Sequence, residues 1–437
     1  MSTTAAVKLW GTEIGAVTID EGARDAAYQY APGFLPSRVE VSPLTMPLRA
    51  PPYVFPGLPA VSFHGLPGLL ADSLPDRFGN ALIDAWLASQ GRTPEDFNAV
   101  ERLCYTGKRG MGALEFVPAR GPRPSPAKDL HIDALVRLAS DVLTHREDLA
   151  ATLDDAGAGQ ALKDILSVGT SAGGARAKAV IAYHPETHAV RSGQLDEPGP
   201  GFEQWLLKFA GVSGNKDKEL ADPQGYGAIE LAYSAMAREA GIVMSECRLL
   251  EENGRRHFMT RRFDRVGGSE KLHMQSLGAL AHYDFNAAGA HSYEQALQVI
   301  RRLDLEMDAV EQQFRRMAFN VVARNQDDHV KNIAFLMDRS GRWSLSPAFD
   351  VTYAYAPSGA WTNQHQVTLN GKRDGFTVRD FEDCARTASM KGGRARRILD
   401  EVREAVGRWP HFAADAAVDE AQMGQIARAH RLNLPAV

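Results

Sequence analysis

The segment Arg324–Asn332, RNQDDHVKN, brings together side chains that can carry charge, bind a metal ion or transfer a proton. These side chains are those of Asp327, Asp328, His329, Lys331 and Asn332. A carboxylate can accept a hydroxyl proton, and an amide oxygen can complete a Mg²⁺ shell without adding charge. Three interpretations stay open on these residues alone: an acid–base site, a metal site, or a solvated polar turn. A solvated turn does not explain why a strand-like segment, IAFLM, starts directly after Asn332.

Asp327 and Asn332 are spaced D-x-x-x-x-N, as are the base and the metal-binding asparagine of a kinase catalytic loop. Asp350 lies 350 − 332 = 18 positions after Asn332, beyond a predicted strand pair, and could be a second Mg²⁺ ligand. This spacing often occurs by chance. It becomes more specific when a Gly-rich loop and a strand lysine precede it in the same chain.

The Gly-rich segment SVGTSAGGARAK permits several interpretations. Gly169–Gly174 fits G-x-x-x-x-G, but Ala175 and Arg176 stand where a P-loop has Gly-Lys. The G-x-S-x-G match around Ser171 would suit a hydrolase nucleophile, but a strand rather than a helix is predicted to follow it. A simple hairpin turn and a loop that covers phosphate groups with its backbone N–H groups are the remaining interpretations.

Lys208 lies in WLLKFA, a strand segment that is otherwise apolar. On an alternating strand, its side chain could simply face solvent. It could also bind a phosphate group and be held by Glu230 on the following helix, as the strand lysine of kinases is.

Zinc is a weaker alternative for His329 together with Asp327 or Asp328. H-E-x-x-H is absent, and His184 and His188 flank a proline-containing turn rather than one face of a helix. We therefore do not expect catalytic zinc.

Hydrophobic periodicity predicts the elements that position these residues. VKLW and AVTI around GTEIG predict a hairpin, and GMGALEFVP predicts a short strand. LLADSLPDRFGNALIDAWLASQ predicts a helix capped by Asp76 or Asn80. Two more helices, in HIDALVRLASDVL and REDLAATLDD, are expected after the linker Gly121–Asp129.

After about Phe263 the predicted elements change from mainly strands and loops to mainly helices. AKAVIAYH, EQWLLKFA and CRLLEENGRRHFMTRRFDR predict strands, whereas YGAIELAYSAMAREA and EMDAVEQQFRRMAFNVVA predict helices. These patterns predict an α+β fold with a loop-and-strand lobe, a helical lobe and a cleft between them.

Composition limits the class of protein. The 437 residues are 44% hydrophobic and 24% charged, as in an ordinary soluble globular protein of two or three domains. A net charge of −5 gives no general attraction to nucleic acid or anionic membranes. The three cysteines form no C-x-x-C pair, and no signal peptide or membrane-spanning run is recognised. We expect a cytoplasmic protein. The basic start of MKGGRARRILDEVREAVGR is typical of a solvated helix face, but it could also touch a DNA backbone.

The motifs, taken in order, resemble those of the HipA family of toxin serine/threonine kinases. The resemblance extends in detail from Leu166 to about Phe376 and more loosely over the β-rich start. It depends on GTSAGGARAK, WLLKFA, RRFDR, LHMQSLGAL, FNVVARNQDDHVKN, SPAFDVTYAY and LNGKRDGF.

The resemblance implies a β-rich N-terminal subdomain over residues 1–120. It also implies a bilobal protein-kinase-like fold, with an N-lobe over residues 130–263 and a mainly helical C-lobe over residues 264–437. Asp327 would be the catalytic base, Asn332 and Asp350 would bind Mg²⁺, and Ser171 would be the serine that the family autophosphorylates to inactivate itself. Implied ATP contacts are a phosphate loop at Gly173, Gly174, Ala175, Arg176, Ala177 and Lys178, a phosphate contact at Lys208, a hinge at Arg261, Arg262 and Phe263, and nucleotide-side groups at His329 and Lys331.

The resemblance also implies partners. Family members bind a HipB-like helix-turn-helix antitoxin that represses their operon, so contact with operator DNA would come mainly through the antitoxin. Several members phosphorylate an aminoacyl-tRNA synthetase and thereby slow translation. Two alternatives stay open: a degenerate kinase that acts as an antitoxin-bound co-repressor, and the G-x-S-x-G hydrolase. Asp328 is expected to be a solvated neighbour of the base.

Overall fold

The computed structural model describes residues 2–88, 91–94, 97–121, 129–144, 165–166, 168, 176–195, 198–212, 216–217, 220–221, 225–267 and 270–437. The chain forms two compact units. Unit 1 comprises Met1–Gln224, Leu250–Gln275 and Met337–Gly341, and unit 2 comprises Gly225–Leu249, Ser276–Leu336 and Arg342–Val437. Ser171, Gly173, Gly174, Ala175 and the predicted helix REDLAATLDD lie outside the described residues. The three domain ranges stay a prediction.

The strands are short, and most belong to unit 1. In chain order they are β1 Ser2–Leu9, β2 Thr12–Asp20, β3 Ala27–Tyr30, β4 Leu114–Val117, β5 Lys178–Tyr183, β6 Val190–Ser192, β7 Glu203–Lys208, β8 Lys216–Asp217, β9 Leu220–Ala221, β10 Cys247–Glu252, β11 Arg255–Arg261, β12 Arg265–Val266, β13 Glu270–Lys271, β14 His273–Ser276, β15 Ala334–Met337 and β16 Trp343–Leu345.

The helices of the described ranges divide between the units. Unit 1 has α1 Ala60–Phe63, α2 Gly68–Ala71, α3 Arg77–Ala88, α4 Ala99–Thr106 and α5 Ile132–Thr144. Unit 2 has α6 Tyr226–Glu239, α7 Leu277–Ala281, α8 Tyr293–Arg302, α9 Met307–Val322, α10 Val378–Thr387, α11 Arg394–Gly407, α12 Trp409–Asp415 and α13 Glu420–Ala429. None of the helices described is long and apolar enough to cross a membrane.

The N-terminal sheet of unit 1 has the strand order β3-β2-β1-β4, and its neighbouring strands are antiparallel. Alternate residues of β1 are buried because successive side chains of a strand point to opposite faces. The predicted hairpin is present, with its turn at Trp10 and Gly11, whose φ angles of 50° and 81° suit a tight hairpin turn.

A second sheet in unit 1 has the order β10-β11-β7-β5-β6. Strand β5 is buried along its whole length. Its apolar side chains join those of β7, α3 and α5 in one core, because neither the helices nor the sheet can bury an apolar face alone. Core residues from these elements include Ile181, Trp205, Leu207, Leu82 and Leu135. This core holds the ends of β5 and β7 in place.

A buried ion cluster at Asp264 connects the N-terminal sheet region to the rest of unit 1. Arg262 donates to Asp264 through Nε at 2.9 Å, and the backbone N–H of Gly112 donates to the same carboxylate at 2.6 Å. Burial alone would raise the pKa of Asp264, but Arg262, Arg265 and these hydrogen bonds hold it well below its usual range. Gly112 has a φ of +75°, and a Cβ there would lie 2.9 Å from the backbone nitrogen of Met274.

Unit 2 is organised around the amphipathic helix α9. Its apolar residues Phe314, Met317 and Phe319 are fully buried, and α9 packs against α11. Tyr233 of α6 donates to the carbonyl oxygen of Ala323, the C-cap of α9, at 2.7 Å. The end of α9, where the polar segment begins, is therefore fixed within the core.

Candidate active site

The polar segment starts with a backbone conformation that ends helix α9. Arg324 has a φ of 59°, in the left-handed region that helix ends usually give to glycine. Its side chain holds this conformation, because Nε donates to the carbonyl oxygen of Ala429 at 2.9 Å and an N–H group donates to Gln326 Oε1 at 2.9 Å. The guanidinium also lies 4.2 Å from the ring centroid of Tyr355. These contacts fix the backbone conformation at Arg324 and so the direction in which the chain continues to Asp327.

The Asp327 carboxylate is partly buried and oriented by an indole. Trp361 Nε1 donates to Asp327 Oδ1 at 2.6 Å. This hydrogen bond fixes one carboxylate oxygen, so the carboxylate is held in one orientation instead of rotating freely. A positioned carboxylate is what general-base chemistry requires.

Asn332 ends a short 3₁₀ turn, Val330–Asn332, and its amide is oriented as well. Its Nδ2 donates to the backbone carbonyl oxygen of Asp327 at 2.8 Å. Because the nitrogen is used within the loop, the carbonyl oxygen Oδ1 is the atom that faces away from this bond. An oriented amide oxygen fits a Mg²⁺ ligand.

The segment that carries Asp350 is joined to the same loop. Gln326 N–H donates to Ala354 O at 3.0 Å, and Ala354 N–H donates to Arg324 O at 3.1 Å. Asp350 has a φ of 51°, and strained residues of this kind concentrate at functional sites. The described ranges hold no group of three or more His, Cys, Asp or Glu side chains arranged to bind a metal. Asn332 and Asp350 would supply only two protein ligands, as is usual for Mg²⁺ bound together with phosphate groups.

Asp328 is not the solvated neighbour that we expected from the sequence. It is 3% exposed and accepts hydrogen bonds from the Tyr293 hydroxyl, from His365 Nδ1 at 2.7 Å and from the backbone N–H of Gln366 at 2.8 Å. Burial alone would raise the pKa of Asp328, but His365, Tyr293 and Gln366 together hold it below its usual value. The sequence places two carboxylates side by side, and only tertiary contacts separate a surface-accessible one from a buried one.

His329 and Lys331 both contact Phe285. The His329 and Phe285 rings meet edge to face with centroids 5.8 Å apart, and Lys331 Nζ lies 4.5 Å from the Phe285 ring centroid. These contacts bring together two residues that were predicted to line a nucleotide site, and that role stays a prediction.

Lys178 and Lys208, both in unit 1, are direct cross-strand partners in β5 and β7. Opposed residues of antiparallel strands share one face, and like charges placed there are destabilising. Lys178 is 2% exposed and lies 3.6 Å from the Asp76 carboxylate, whereas Lys208 is partly exposed and lies 5.7 Å from the Phe258 ring centroid. Asp76 offsets the charge of Lys178, and the contact of Lys208 with a phosphate group stays a prediction.

The remaining residues predicted to contact the nucleotide differ in their burial and in their partners. Arg176 and Ala177 are buried, and Arg261 is exposed and pairs with Glu203 at 3.3 Å. The guanidinium of Arg262 is bound to Asp264, and its backbone N–H donates to Gln204 O at 2.9 Å. The backbone N–H and two guanidinium nitrogens of Arg262 thus donate within unit 1. The hinge role of Arg261, Arg262 and Phe263 stays a prediction.

Sequence reasoning missed several residues that contact the loop or its neighbours, among them Trp361, His365 and Arg431. Trp361 and His365 lie in WTNQHQ, which matches no motif, and Arg431 is an isolated cation near the C-terminus. Their contacts join positions far apart in the chain, so no spacing within the sequence could have indicated them.

Comparisons with known proteins identify the family of this chain. Residues 5–117 match the family model described as HipA N-terminal domain, and residues 170–409 match that of the HipA-like C-terminal domain. No curated protein gives a match.

Two solved structures are similar to different extents. HipA of the Shewanella oneidensis MR-1 toxin–antitoxin system, solved with HipB and operator DNA, matches with a TM-score of 0.68 and 16% identity over 97% of this chain and 94% of that chain. The Helicobacter pylori proinflammatory kinase CtkA matches with a TM-score of 0.32 and 12% identity over 52% of this chain and 90% of that chain, too weakly to support an argument. The first match confirms the predicted α+β fold class. Since the two family models together span most of the sequence, and the C-terminal one alone matches more than half of it, this chain belongs to the HipA family.

Proposed function

We propose that this chain is an ATP- and Mg²⁺-dependent serine/threonine protein kinase that acts as the toxin of a toxin–antitoxin system. The observation that carries the proposal is the ordered loop in which Trp361 orients the Asp327 carboxylate and Asp327 O anchors the Asn332 amide. Membership of the HipA family supports it further.

Asn332 Oδ1 and the Asp350 carboxylate would hold the magnesium ion, which neutralises phosphate charge when bound. Lys208 would contact the phosphate groups of ATP, and Lys178 lies opposite it on the same strand face with its charge paired to Asp76. Most of the rate enhancement would come from positioning and charge neutralisation rather than from the base alone. Loss of Asp350 should therefore be at least as damaging as loss of Asp327.

The reaction transfers one phosphoryl group to a hydroxyl. The hydroxyl oxygen forms a bond to the γ-phosphorus, the bond from that phosphorus to the bridging oxygen breaks, and ADP leaves. Asp327 accepts the hydroxyl proton. The indole of Trp361 donates to one carboxylate oxygen, which would orient the group for this proton transfer.

Ser171 is the proposed regulatory acceptor. A phosphoryl group on this serine would add a charge of roughly −1.5 to −2 to the Gly-rich loop. Such a charge would repel the phosphate groups of ATP, so that the kinase would switch itself off.

The proposed partners are a HipB-like helix-turn-helix antitoxin and, through it, operator DNA. The Shewanella relative with the same fold was solved with HipB and operator DNA, which supports this assignment. An aminoacyl-tRNA synthetase is the proposed protein substrate, by analogy with the family.

Labelled ATP tests the proposal directly. With Mg²⁺, the wild-type chain should incorporate phosphate at Ser171, and Asp327→Asn should lower the rate at least a hundredfold because the base contributes roughly 10²–10⁴ to such reactions. Asp400→Asn, which makes the same chemical change at an exposed helix position, is the matched control and should label normally. Equal labelling of wild type and Asp327→Asn would overturn the assignment of the base.

Nucleotide binding separates this proposal from the co-repressor alternative. Wild type and Asp327→Asn should bind ATP–Mg²⁺ similarly, whereas Asp350→Asn should lose the Mg²⁺-dependent part of the affinity. Binding of ATP by wild type without any transfer to protein would instead favour the degenerate kinase.

A further inference from the structure

A buried chain of hydrogen bonds connects the candidate active site with the C-terminal segment of unit 2. Asp328 accepts from His365 Nδ1 at 2.7 Å, and His365 Nε2 lies 2.9 Å from an N–H nitrogen of Arg431. Asp328 and His365 are almost completely buried, and the Arg431 side chain is 10% exposed. None of the sequence motifs contains Asp328, His365 and Arg431 together.

The chemistry of the three groups fixes the proton on the histidine. Arginine has only donors, so His365 Nε2 has to accept from Arg431. The single ring proton then lies on Nδ1, where it donates to the Asp328 carboxylate. Arg431 therefore selects the histidine tautomer that can bind Asp328.

Arg431 is itself held by several groups in unit 2. Its backbone N–H donates to Val322 O at 2.8 Å, an N–H of its guanidinium donates to Val321 O at 3.1 Å, and another pairs with Asp374. Burial and the nearby charge of Arg324 lower the pKa of Arg431 to about 10, while Asp374 counters this effect. The guanidinium stays charged at neutral pH and bridges the end of α9 to His365.

The chain of contacts reaches the Asp327 carboxylate by a second route. His365 and Gln366 belong to the loop that also carries Trp361, and the Gln366 amide donates to the carbonyl oxygens of Trp361 and Gln326. Trp361 in turn donates to Asp327. Displacement of His365 would thus move both the peptide next to Asp327 and the indole that orients it.

We propose that Arg431 and His365 are positioning residues for the Asp327 carboxylate: Arg431 holds His365 in the tautomer that binds Asp328, and this fixes the loop that presents Asp327. The inference rests on the proposed kinase function for its catalytic consequence, but its hydrogen-bond geometry can be tested without activity. Arg431, in the C-terminal segment, then helps to position the Asp327 carboxylate through His365.

The kinetic test compares two arginines of unit 2 whose side chains donate to backbone carbonyl oxygens, Val321 O for Arg431 and Leu432 O for Arg403. Arg431→Lys keeps the charge but loses the planar set of donors, and kcat should fall roughly ten- to hundredfold because small misplacements of catalytic groups have effects of this size. The KM for ATP should stay within twofold. Arg403→Lys makes the same change at a residue whose Nε donates to Leu432 O at 2.7 Å, and its kcat should stay within twofold of wild type.

A second pair of variants tests the histidine. His365→Asn keeps an N–H that can donate to Asp328, so it should retain more activity than His365→Leu, which has no donor. Equal kcat values for wild type, Arg431→Lys and His365→Leu would overturn the proposal. A loss that appears equally in Arg403→Lys would show a general effect of the C-terminal segment and would also overturn it.

Nuclear magnetic resonance gives a readout that does not depend on turnover. In ¹⁵N-histidine spectra, His365 should appear as the Nδ1–H tautomer, and Arg431→Lys should change this signature. The Trp361 indole resonance, assigned by its disappearance in Trp361→Phe, should shift in Arg431→Lys and stay in place in Arg403→Lys. An Nε2–H or doubly protonated His365 in wild type would contradict the inference, even if the chain were to show no kinase activity.

Discussion

Asp327 and Asp328 are neighbours in sequence, yet their carboxylates have different surroundings. Asp327 is partly exposed and accepts from Trp361, whereas Asp328 is buried and accepts from Tyr293, His365 and the Gln366 backbone. A buried carboxylate with several donors contributes to folding, and a partly exposed carboxylate can accept a proton. The two roles therefore separate at the scale of single residues.

Asp328→Asn should destabilise unit 2. The substitution removes a charge that three donors bind, and a buried hydrogen bond to a charged group is worth roughly 1.5–3 kcal/mol. We expect the free energy of unfolding in urea to fall by about 2–3 kcal/mol. Asp415→Asn, at a mostly exposed site that lies 3.5 Å from His411, should change it by less than about 0.5 kcal/mol. A cost for Asp328→Asn as small as that of the control would contradict this assignment.

The same carboxylate predicts how stability changes with pH. The pKa of Asp328 lies below its usual value of 3.8 in the folded chain. Its contribution is therefore complete above 3.8 and decreases as the pH falls toward the folded pKa, because the unfolded chain binds the proton first. The stability difference between wild type and Asp328→Asn should shrink progressively below about pH 5. A difference that grows on acidification would show that the sign is wrong.

At the scale of elements, one residue links a helix to a strand. Asp76 caps α3, because its Oδ1 accepts from the Gly79 N–H at 2.6 Å, and its other oxygen lies 3.6 Å from Lys178 Nζ at the start of β5. Of the two predicted caps, Asp76 is the one that the structure uses, and Asn80 lies inside the helix. The cap thus also supplies the counter-charge for a buried lysine.

Asp76→Asn separates these two contributions. Asparagine caps a helix about as well as aspartate, so the expected loss comes from leaving the Lys178 ammonium buried without its counter-charge. We expect a loss of about 3 kcal/mol in the free energy of unfolding, measured in urea. Adding Lys178→Met should recover most of it, since a buried ion pair can often be replaced by apolar groups. If the double variant is no more stable than Asp76→Asn alone, the two side chains are not energetically coupled.

At the scale of the whole molecule, the proposed activity predicts an effect on growth. Expression of the wild-type chain in bacteria without its antitoxin should slow growth, because phosphorylation of a translation enzyme would limit protein synthesis. Asp327→Asn should abolish the effect, and Asp400→Asn, the exposed control, should preserve it. Colony counts after induction measure the difference.

Co-expression with a HipB-like protein should restore growth and yield a complex that can be purified. Growth inhibition by Asp327→Asn equal to that of wild type would show that the effect does not depend on phosphoryl transfer. In that case the proposal that the chain slows growth by phosphoryl transfer would fail, whereas the fold class and the family membership would be unaffected.

Local features of the sequence predicted much of the local structure. The helical periodicity of α6 and α9, the hairpin between β10 and β11, and the order of the family motifs were all recognisable, because each depends on residues close together in the chain. D-x-x-x-x-N selected Asp327 and Asn332 as candidates for the same reason. What the motif did not contain was any information on the surroundings of each side chain.

The sequence by itself determined the family, the α+β class and the residue types of the candidate site. Only the tertiary structure decided that Asp328 is buried, that Trp361 orients Asp327, that Lys178 opposes Lys208 and pairs with Asp76, and that Arg431 reaches His365. The physical reason is that burial and hydrogen bonding depend on contacts between distant positions, such as His365 and Arg431, which share no period or spacing. Those contacts give two adjacent aspartates different surroundings, because Asp328 is buried and Asp327 is partly exposed.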